Sequence, residues 1–383
     1  MTPFPREDYR ALSRYLPDRR PVPVDLSDNT NLWGTHPDAL QAIREAGPDH
    51  LARYPSLYAD ELRAAVSRRF GVPEEHVCTG CGSDDILDAA FRAAAGPGGL
   101  VRWADPTFSM LEPLCRMNGR EPGPVGWGEA LEDPAALLAG DPVVVYVCRP
   151  NNPTGHVAPR AWMNALLRLT RDRGADAPLV IVDEAYADFS GDSLVAEAPG
   201  LHRTLVVRTL SKAYGLAGLR AGWGAGPTEV IDEVEKARGP YKVGRLAGAA
   251  AVAAVDDVGG WVERTVAECQ ECRSALIEAL EARGLEPLPS GANFVLVPVA
   301  RAPTEKALAL RERGVAVRPF PGERTADGAA KATPQPLPDA LRVTVGPWPL
   351  MERFLGALDD LRAADPDAWA GAPRPVWLPG ATP

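Results

Sequence analysis

Long hydrophobic runs are missing from this 383-residue chain. The longest soft stretch, Leu246 to Val255, is built mostly of Ala, Val and Gly and falls well short of the roughly 20 residues that a membrane-spanning helix needs. Positive charge is also in deficit: 41 Lys and Arg face 51 Asp and Glu, a net charge of −10. That balance argues against a surface for nucleic acid or anionic lipid. The first residues, Met1 to Arg20, are polar and charged, so no apolar signal segment is expected there. Cysteine is scarce, with six in the chain. Cys78/Cys81 and Cys269/Cys272 each have the two-residue gap of some zinc sites. The two pairs lie far apart, however, and Cys269 and Cys272 fit a helical pattern with Val262, Val266, Leu276 and Leu280 that turns them toward a core. No metal is expected, and a chain of this size needs no disulfides. Internal repeats and charge runs are also missing. These absences leave a soluble, cytoplasmic, globular protein long enough for one large and one small domain.

The informative stretch is Thr204-Leu-Val-Val-Arg-Thr-Leu-Ser-Lys-Ala-Tyr-Gly-Leu-Ala-Gly-Leu-Arg220. Leu205, Val206 and Val207 read as a buried strand. Thr209, Ser211 and Lys212 then turn polar, and Gly215 and Gly218 allow the backbone to bend close to a ligand. A lysine at the end of a buried strand loses hydration, which lowers its pKa and makes its amine a better nucleophile toward an aldehyde. Ser211 and Arg220 are donors suited to a phosphate. A lysine beside a phosphate site suggests pyridoxal 5'-phosphate (PLP) held as a Schiff base.

Other apolar strands also end in polar residues. Val143–Val147 runs into Arg149-Pro-Asn-Asn-Pro-Thr-Gly155, and Leu179–Val182 runs into Asp183-Glu-Ala-Tyr186. Near-continuous apolar runs of this kind belong to parallel strands buried on both faces, and open α/β sheets bind ligands at the strands' C-terminal ends. Asp183, a carboxylate at a buried strand end, needs a partner. It is either a cap or salt-bridge residue, or the partner of a protonated pyridine nitrogen, with Tyr186 near the ring's phenolic oxygen. Gly80-Cys-Gly-Ser-Asp-Asp85 opens a helix whose N–H groups suit a phosphate, although Asp84 and Asp85 equally fit ordinary first-turn acids. Beyond Tyr241, the segments Asn293–Val297, Val315–Arg318 and Leu341–Val345 alternate and predict a separate small sheet. Pro321–Pro338 reads as a loop, and the chain from Pro366 as a tail.

Ser211-Lys-Ala-x-x-Leu-Ala-Gly-Leu-Arg220, Asp183-Glu-Ala-Tyr186 and Asn151-Asn-Pro-Thr-Gly155 together resemble the fold-type I PLP aminotransferases, and most closely the histidinol-phosphate aminotransferase family. The resemblance spans about residues 10 to 360 and implies an α/β fold: a large domain with a mostly parallel sheet flanked by helices, and a small α+β domain. It places the large PLP-binding domain at 29–258, the small domain at 1–28 and 259–365, and a tail at 366–383. It implies a class I/II aminotransferase in which Lys212 carries PLP and moves the proton during a ping-pong exchange. The donor would be histidinol phosphate or a related amino acid or amine, and glutamate with 2-oxoglutarate the partner pair.

By the same resemblance, Asp183 meets the pyridine nitrogen, and Asn152 and Tyr186 meet the phenolic oxygen. Phe108 stacks on the ring, unless it is a core phenylalanine. Gly82, Ser83, Asp84, Thr209, Ser211 and Arg220 hold the phosphate, with the carboxylates of Asp84 and Asp85 turned away. Tyr54 reaches the phosphate of a neighbouring subunit, which implies a homodimer; the alternatives are a structural tyrosine or Tyr58 in its role. Arg342 clamps a substrate carboxylate, unless strand alternation puts it on a solvent face, and Arg318 is a second anion ligand. Tyr15, Asn29 and Tyr241 complete the substrate side.

The chain departs from the family at Asn29-Thr-Asn-Leu32 (usually Asn-Glu-Asn-Pro), at Lys242-Val-Gly244 (usually Asn-Val-Asn) and at Arg149 (usually Ser). These changes cluster at substrate-facing positions. They leave open a decarboxylase resembling threonine-phosphate decarboxylase, or an aminotransferase of specialised metabolism. A non-catalytic PLP-fold module is a further reading, against which Lys212, Asp183 and Arg220 all stand.

Overall fold

The computed structural model describes residues 4–10, 12, 14, 18, 20–94, 96, 98–322, 337–366, 369 and 372. Most of the loop expected at Pro321–Pro338 and most of the tail from Pro366 lie outside the described residues. Among the described residues, eleven strands form two sheets. They are β1 (Val24–Leu26), β2 (Val77–Gly80), β3 (Leu100–Asp105), β4 (Glu121–Gly126), β5 (Val144–Cys148), β6 (Leu179–Asp183), β7 (Thr204–Thr209), β8 (Gly222–Ala225), β9 (Phe294–Pro298), β10 (Val315–Phe320) and β11 (Ala340–Thr344).

The larger sheet has the order β2-β8-β7-β6-β5-β3-β4. The pairings from β7 through β4 are parallel, and β8 runs antiparallel to both β2 and β7. Every residue of β5 and β7 is buried. Tyr146, Ile181, Leu205 and Val207 face one core with Ile86, Leu87 and Val230. Val145, Val147, Val180, Val182 and Val206 face another with Met163 and Leu166. Helices on both faces explain why these strands read as unbroken apolar runs.

Two strands escape a sequence reading. β4 contains Pro122, Gly123 and Pro124. It survives as a strand because it lies at the sheet edge, where a missing N–H costs no ladder bond. β8 is Gly-Trp-Gly-Ala, poor in strand-forming residues. Its glycines are required by proximity: a Cβ on Gly222 would lie 2.7 Å from the Ser83 nitrogen, and one on Gly224 would lie 3.1 Å from Cys78 Sγ.

The smaller sheet has the order β1-β10-β11-β9, with β1 parallel to β10 and the other pairs antiparallel. The alternation expected along β9 and β11 is not found: all five residues of each are buried. Helices Trp261–Glu281 and Pro303–Glu312 contact this sheet, as does Trp348–Ala364. Leu296 of β9 and Ala340 of β11 pack with Trp127 and Leu288. A sheet covered on both faces has no solvent side to alternate with.

The two sheets meet along Ser27–Gly34. Asn31 Nδ2 donates to the Ala213 carbonyl at 2.9 Å. Gly215 has φ +65°, and a Cβ there would sit 2.2 Å from the Gly34 carbonyl oxygen. Gly215→Ala should therefore combine backbone strain with overpacking and lower stability by about 2–4 kcal/mol. Urea unfolding followed by tryptophan fluorescence measures this; an unchanged midpoint would mean that the two backbones separate without cost.

Candidate active site

Strands β3, β5, β6 and β7 are parallel, so their C-terminal ends share one edge; Asp183 is the last residue of β6, and the loops after β3, β5 and β7 carry Phe108, Asn152 and Lys212. Thr107 Oγ1 donates to Asn151 Oδ1 at 2.8 Å, and Asn151 Nδ2 donates to the Pro106 carbonyl at 3.0 Å. These bonds tie the loop bearing Phe108 to the loop bearing Asn152. Phe108 is partly buried and packs against the cluster that contains Ile86 and Leu111.

Asp183 closes β6 and is buried. Its Oδ2 accepts from Tyr146 Oη at 2.7 Å, and its Oδ1 accepts from the Ala185 N–H at 3.0 Å. Burial pushes its carboxyl up to about 6, against the lowering effect of those two donors. A buried carboxylate that is short of cationic company is a fitting partner for a protonated ring nitrogen.

Lys212 is partly buried just beyond β7. Its Nζ donates to the Asp28 carbonyl at 3.2 Å and lies 5.7 Å from the centre of the Tyr186 ring. Desolvation, followed by the nearby Arg342 guanidinium, brings its pKa down to about 8. Tyr186 is buried, and its Oη accepts from Asn29 Nδ2 at 3.0 Å.

A cradle for an anion lies where helix Ser83–Ala94 meets the turn after β7. Gly82 has φ +81°, and a Cβ there would sit 2.7 Å from Arg220 Nη2. Arg220 Nη1 donates to Ser211 Oγ at 3.4 Å, and Thr209 Oγ1 donates to the same oxygen at 3.0 Å. The first N–H groups of the helix, the Ser211 and Thr209 hydroxyls and the guanidinium form a donor set suited to a phosphate. Asp85 is turned away, accepting from the Cys81 N–H at 3.0 Å and from Lys242 Nζ at 3.1 Å. Asp84 is not: its Oδ2 lies 3.3 Å from Arg220 Nη2. Both side chains of that pair are about half exposed, so the pair is weak and an incoming phosphate can compete for the guanidinium.

The small sheet contributes Arg342. It is buried, not on a solvent face, and lies between Phe294 and Phe320, 5.3 and 5.4 Å from their ring centres. It donates to Asn152 Oδ1 at 2.5 Å and to the Ser27 carbonyl at 2.9 Å. With its carbonyl so engaged, Asn152 has its amide NH2 left to offer a ligand. Arg318 stands directly across from Arg342 in the β10–β11 register and donates to Asp28 Oδ1 at 2.9 Å.

Tyr54 and Tyr241 stack on each other with ring centres 4.9 Å apart. They are 79% and 44% exposed; among the described residues neither contacts Lys212, Asp183 or Arg342. Tyr15 lies outside the described residues. Arg149 is fully buried. Its Nε donates to the Ala158 carbonyl at 2.7 Å and its guanidinium pairs with Asp192, so the departure at this position anchors a loop.

Four participants were missed by sequence reasoning: Tyr146, Thr344, Ser27 and Asp28. A tyrosine within the apolar run Val-Val-Tyr-Val was the available signal for the first. Thr344 exchanges hydrogen bonds with Asn29, a pairing that only the fold brings together.

Residues 21–358 match the family model of aminotransferase class I and II. The chain is 38% identical over 336 residues to an aromatic amino acid aminotransferase from Thermobifida fusca (strain YX), covering 84% of this chain and 91% of that one. It is 36% identical over 357 residues to a histidinol-phosphate aminotransferase from Acetobacter pasteurianus, covering 91% and 95%. In structure it resembles the histidinol-phosphate aminotransferase from Clostridium acetobutylicum, with a TM-score of 0.77 at 21% identity, covering 89% of this chain and 99% of that one. It also resembles the histidinol-phosphate aminotransferase from Sinorhizobium meliloti solved with pyridoxal-5'-phosphate, with a TM-score of 0.73 at 23% identity, covering 90% and 92%. The chain belongs to the class I and II aminotransferases, the PLP-dependent enzymes of fold type I.

Proposed function

We propose that the protein moves an amino group between a donor with a planar ring side chain and a 2-oxo acid such as 2-oxoglutarate, in a ping-pong sequence. The observation that carries this reading is the placement of Lys212, an amine brought down to about 8, with both Asp183 and Arg342 close enough to shift it. The ring-bearing donor is supported by the names of the two relatives, one acting on aromatic amino acids and the other on histidinol phosphate.

In this reading Lys212 Nζ would hold the cofactor. As a free amine, Lys212 would move the proton from the donor's Cα. A pKa near the working pH suits a group that must do this. Asp183 holds a proton on the ring nitrogen, and Tyr146 and the Ala185 N–H keep its carboxylate in place. Asn152 and Tyr186 donate to the phenolic oxygen, and Phe108 covers one ring face. Ser83, Asp84, Thr209, Ser211 and Arg220 grip the phosphate. Bound in this way, PLP supplies an electron-withdrawing ring that takes up the electron pair left when Cα loses its proton. Arg342, with Arg318 beside it, orients the donor through an anionic group. The same reading assigns residues 29–258 to the cofactor-binding domain, and residues 1–28 and 259–365 to the domain that brings Arg342 to it.

A homodimer is part of the proposal. Tyr54, Tyr241 and Leu57 leave large apolar groups exposed, with Tyr54 against Tyr241 and the Tyr241 N–H donating to the Leu57 carbonyl, and a second copy placing Tyr54 at its neighbour's phosphate would cover them. Light scattering should find a dimer at assay concentration; an active monomer would remove Tyr54 from the site.

Lys212→Ala should bind PLP yet lose roughly 100- to 10,000-fold in amino transfer, because it removes the proton-transfer group. Product analysis decides the reaction: amine exchange between donor and oxo acid is expected, and release of carbon dioxide instead would overturn the proposal. Arg342→Ala should weaken the donor by about ten- to hundred-fold, as loss of a charge-assisted contact requires.

The lysine's pKa gives a further check. Its depressed value means that the neutral amine appears as pH rises through about 8. Labelling of Lys212 by an amine-reactive reagent in cofactor-free protein, followed by peptide mass spectrometry, should therefore rise through that pH and level off. Arg342→Met should move the midpoint upward, because the guanidinium now disfavours the ammonium form. A wild-type midpoint near 10 would show that the amine is not desolvated.

A further inference from the structure

The departure Lys242-Val-Gly244 follows Tyr241, and the fold gives its lysine a definite partner. Lys242 Nζ donates to Asp85 Oδ1 at 3.1 Å. Asp85 lies in the first turn of helix Ser83–Ala94, the helix whose leading N–H groups belong to the anion cradle. Its other oxygen, Oδ2, accepts from the Cys81 N–H at 3.0 Å. The carboxylate therefore closes the turn that leads into the helix, and Lys242 meets it from a distant part of the chain.

The loop that carries Lys242 is fixed on both sides. Tyr241, with φ +61°, stacks on Tyr54 and donates its N–H to the Leu57 carbonyl at 3.0 Å. Val243 is buried, and Arg245 Nη1 donates to the Tyr54 carbonyl at 3.2 Å. The lysine and aspartate side chains are 39% and 13% exposed, so water screens the pair only in part.

Two acids open this helix, and each meets a cation from elsewhere in the chain. Asp84 faces Arg220 at 3.3 Å, and Asp85 faces Lys242. The cations differ in what else they touch. Arg220 lies against Gly82 and donates to Ser211 Oγ, inside the cradle, where a phosphate can take it as a ligand. Lys242 holds the acid that the turn itself requires. A phosphate monoester carries close to two negative charges above neutral pH, so an uncompensated first-turn carboxylate opposes it strongly. We propose that Lys242 is a positioning residue for the cofactor phosphate: it offsets the charge of Asp85, so that this carboxylate can shape the turn without repelling the dianion. The inference rests on the reading of the cradle as the phosphate site.

Pyridoxamine 5'-phosphate and pyridoxamine test it, since they share a ring, differ in the phosphate and lack the aldehyde that would bond Lys212. Their dissociation constants are measured at pH 8 on the cofactor-free full chain by quenching of tryptophan fluorescence. Lys242→Met should weaken the phosphate ester by about tenfold, the order expected of one uncompensated charge acting on a dianion through a partly hydrated medium. It should leave pyridoxamine unchanged, and the loss should shrink at high salt. Lys242→Arg should keep the wild-type ratio of the two constants. Asp85→Asn/Lys242→Met also lacks the ion pair, but it keeps an acceptor for the Cys81 N–H and carries no extra negative charge. It should recover the wild-type ratio.

If the double variant loses the phosphate ester as Lys242→Met does, the pair acts by holding the loop in place and the inference is wrong. Equal weakening of both ligands in Lys242→Met overturns it too, as does an unchanged ratio. In those cases the cradle reading stands provided that Arg220→Met selectively weakens the phosphate ester. If Arg220→Met leaves the ratio unchanged as well, the phosphate lies elsewhere and both readings fall together.

Discussion

Asn29 touches both sheets at once. Its side chain donates to Tyr186, beyond the end of β6, and accepts from Thr344 of β11. Its own N–H donates back to the Thr344 hydroxyl, and its carbonyl accepts from Asn293, just ahead of β9. The residue has φ +54°, a left-handed conformation that asparagine tolerates better than most. On either side of it, Ser27 and Asp28 hold Arg342 and Lys212, and Asn31 holds the turn that carries Lys212. A buried polar residue must be satisfied at nearly every atom, and here the partners come from three separate loops and strands. The geometry of the site therefore depends on one short segment being fixed, and that segment can be fixed only when both sheets are formed.

That dependence explains which parts were legible in the sequence. β5, β6 and β7 announce themselves because a strand buried on two faces is apolar along most of its length, and Asp183 and Lys212 stand out as charged groups at or just past the strand ends. Gly82 and Arg220 are equally readable, since a tight anion cradle restricts what residues can build it. The seam is different. Ser27, Asp28 and Asn29 look like ordinary turn residues, and their partners lie 157 to 315 positions away. Arg342 shows the same limit: local alternation places it outward, and only the packing of the small sheet places it inward. β4 and β8 were hidden for a backbone reason. Proline at an edge and glycine beside a close neighbour are tolerated by position, and propensity carries no knowledge of position.

The site is also an electrostatic compromise. Asp183 is pushed up to about 6 and Lys212 down to about 8, each chiefly by burial. Burial disfavours the charged form of both groups, so their ordinary separation narrows from both sides. A carboxylate that resists ionisation gains from a cationic ring nitrogen, and an amine that resists protonation is ready to bond a carbonyl carbon. In the proposed reading the two shifts would serve opposite ends of the same cofactor. Neither would survive a water-filled cleft, because hydration would restore both groups toward their ordinary values.

Arg342 remains the most exacting element, because it brings a permanent charge into this dry environment. Burying a guanidinium is costly unless its donors are met. The chain resolves this with neutral oxygens from Asn152 and Ser27 and with the faces of Phe294 and Phe320. Cation–π contacts and carbonyl acceptors help to stabilise the buried cation. Arg318, directly across from it on the neighbouring strand, donates to Asp28. Two arginines in register thus bring positive charge from the small sheet to the same side as Asp28, whose carbonyl holds Lys212.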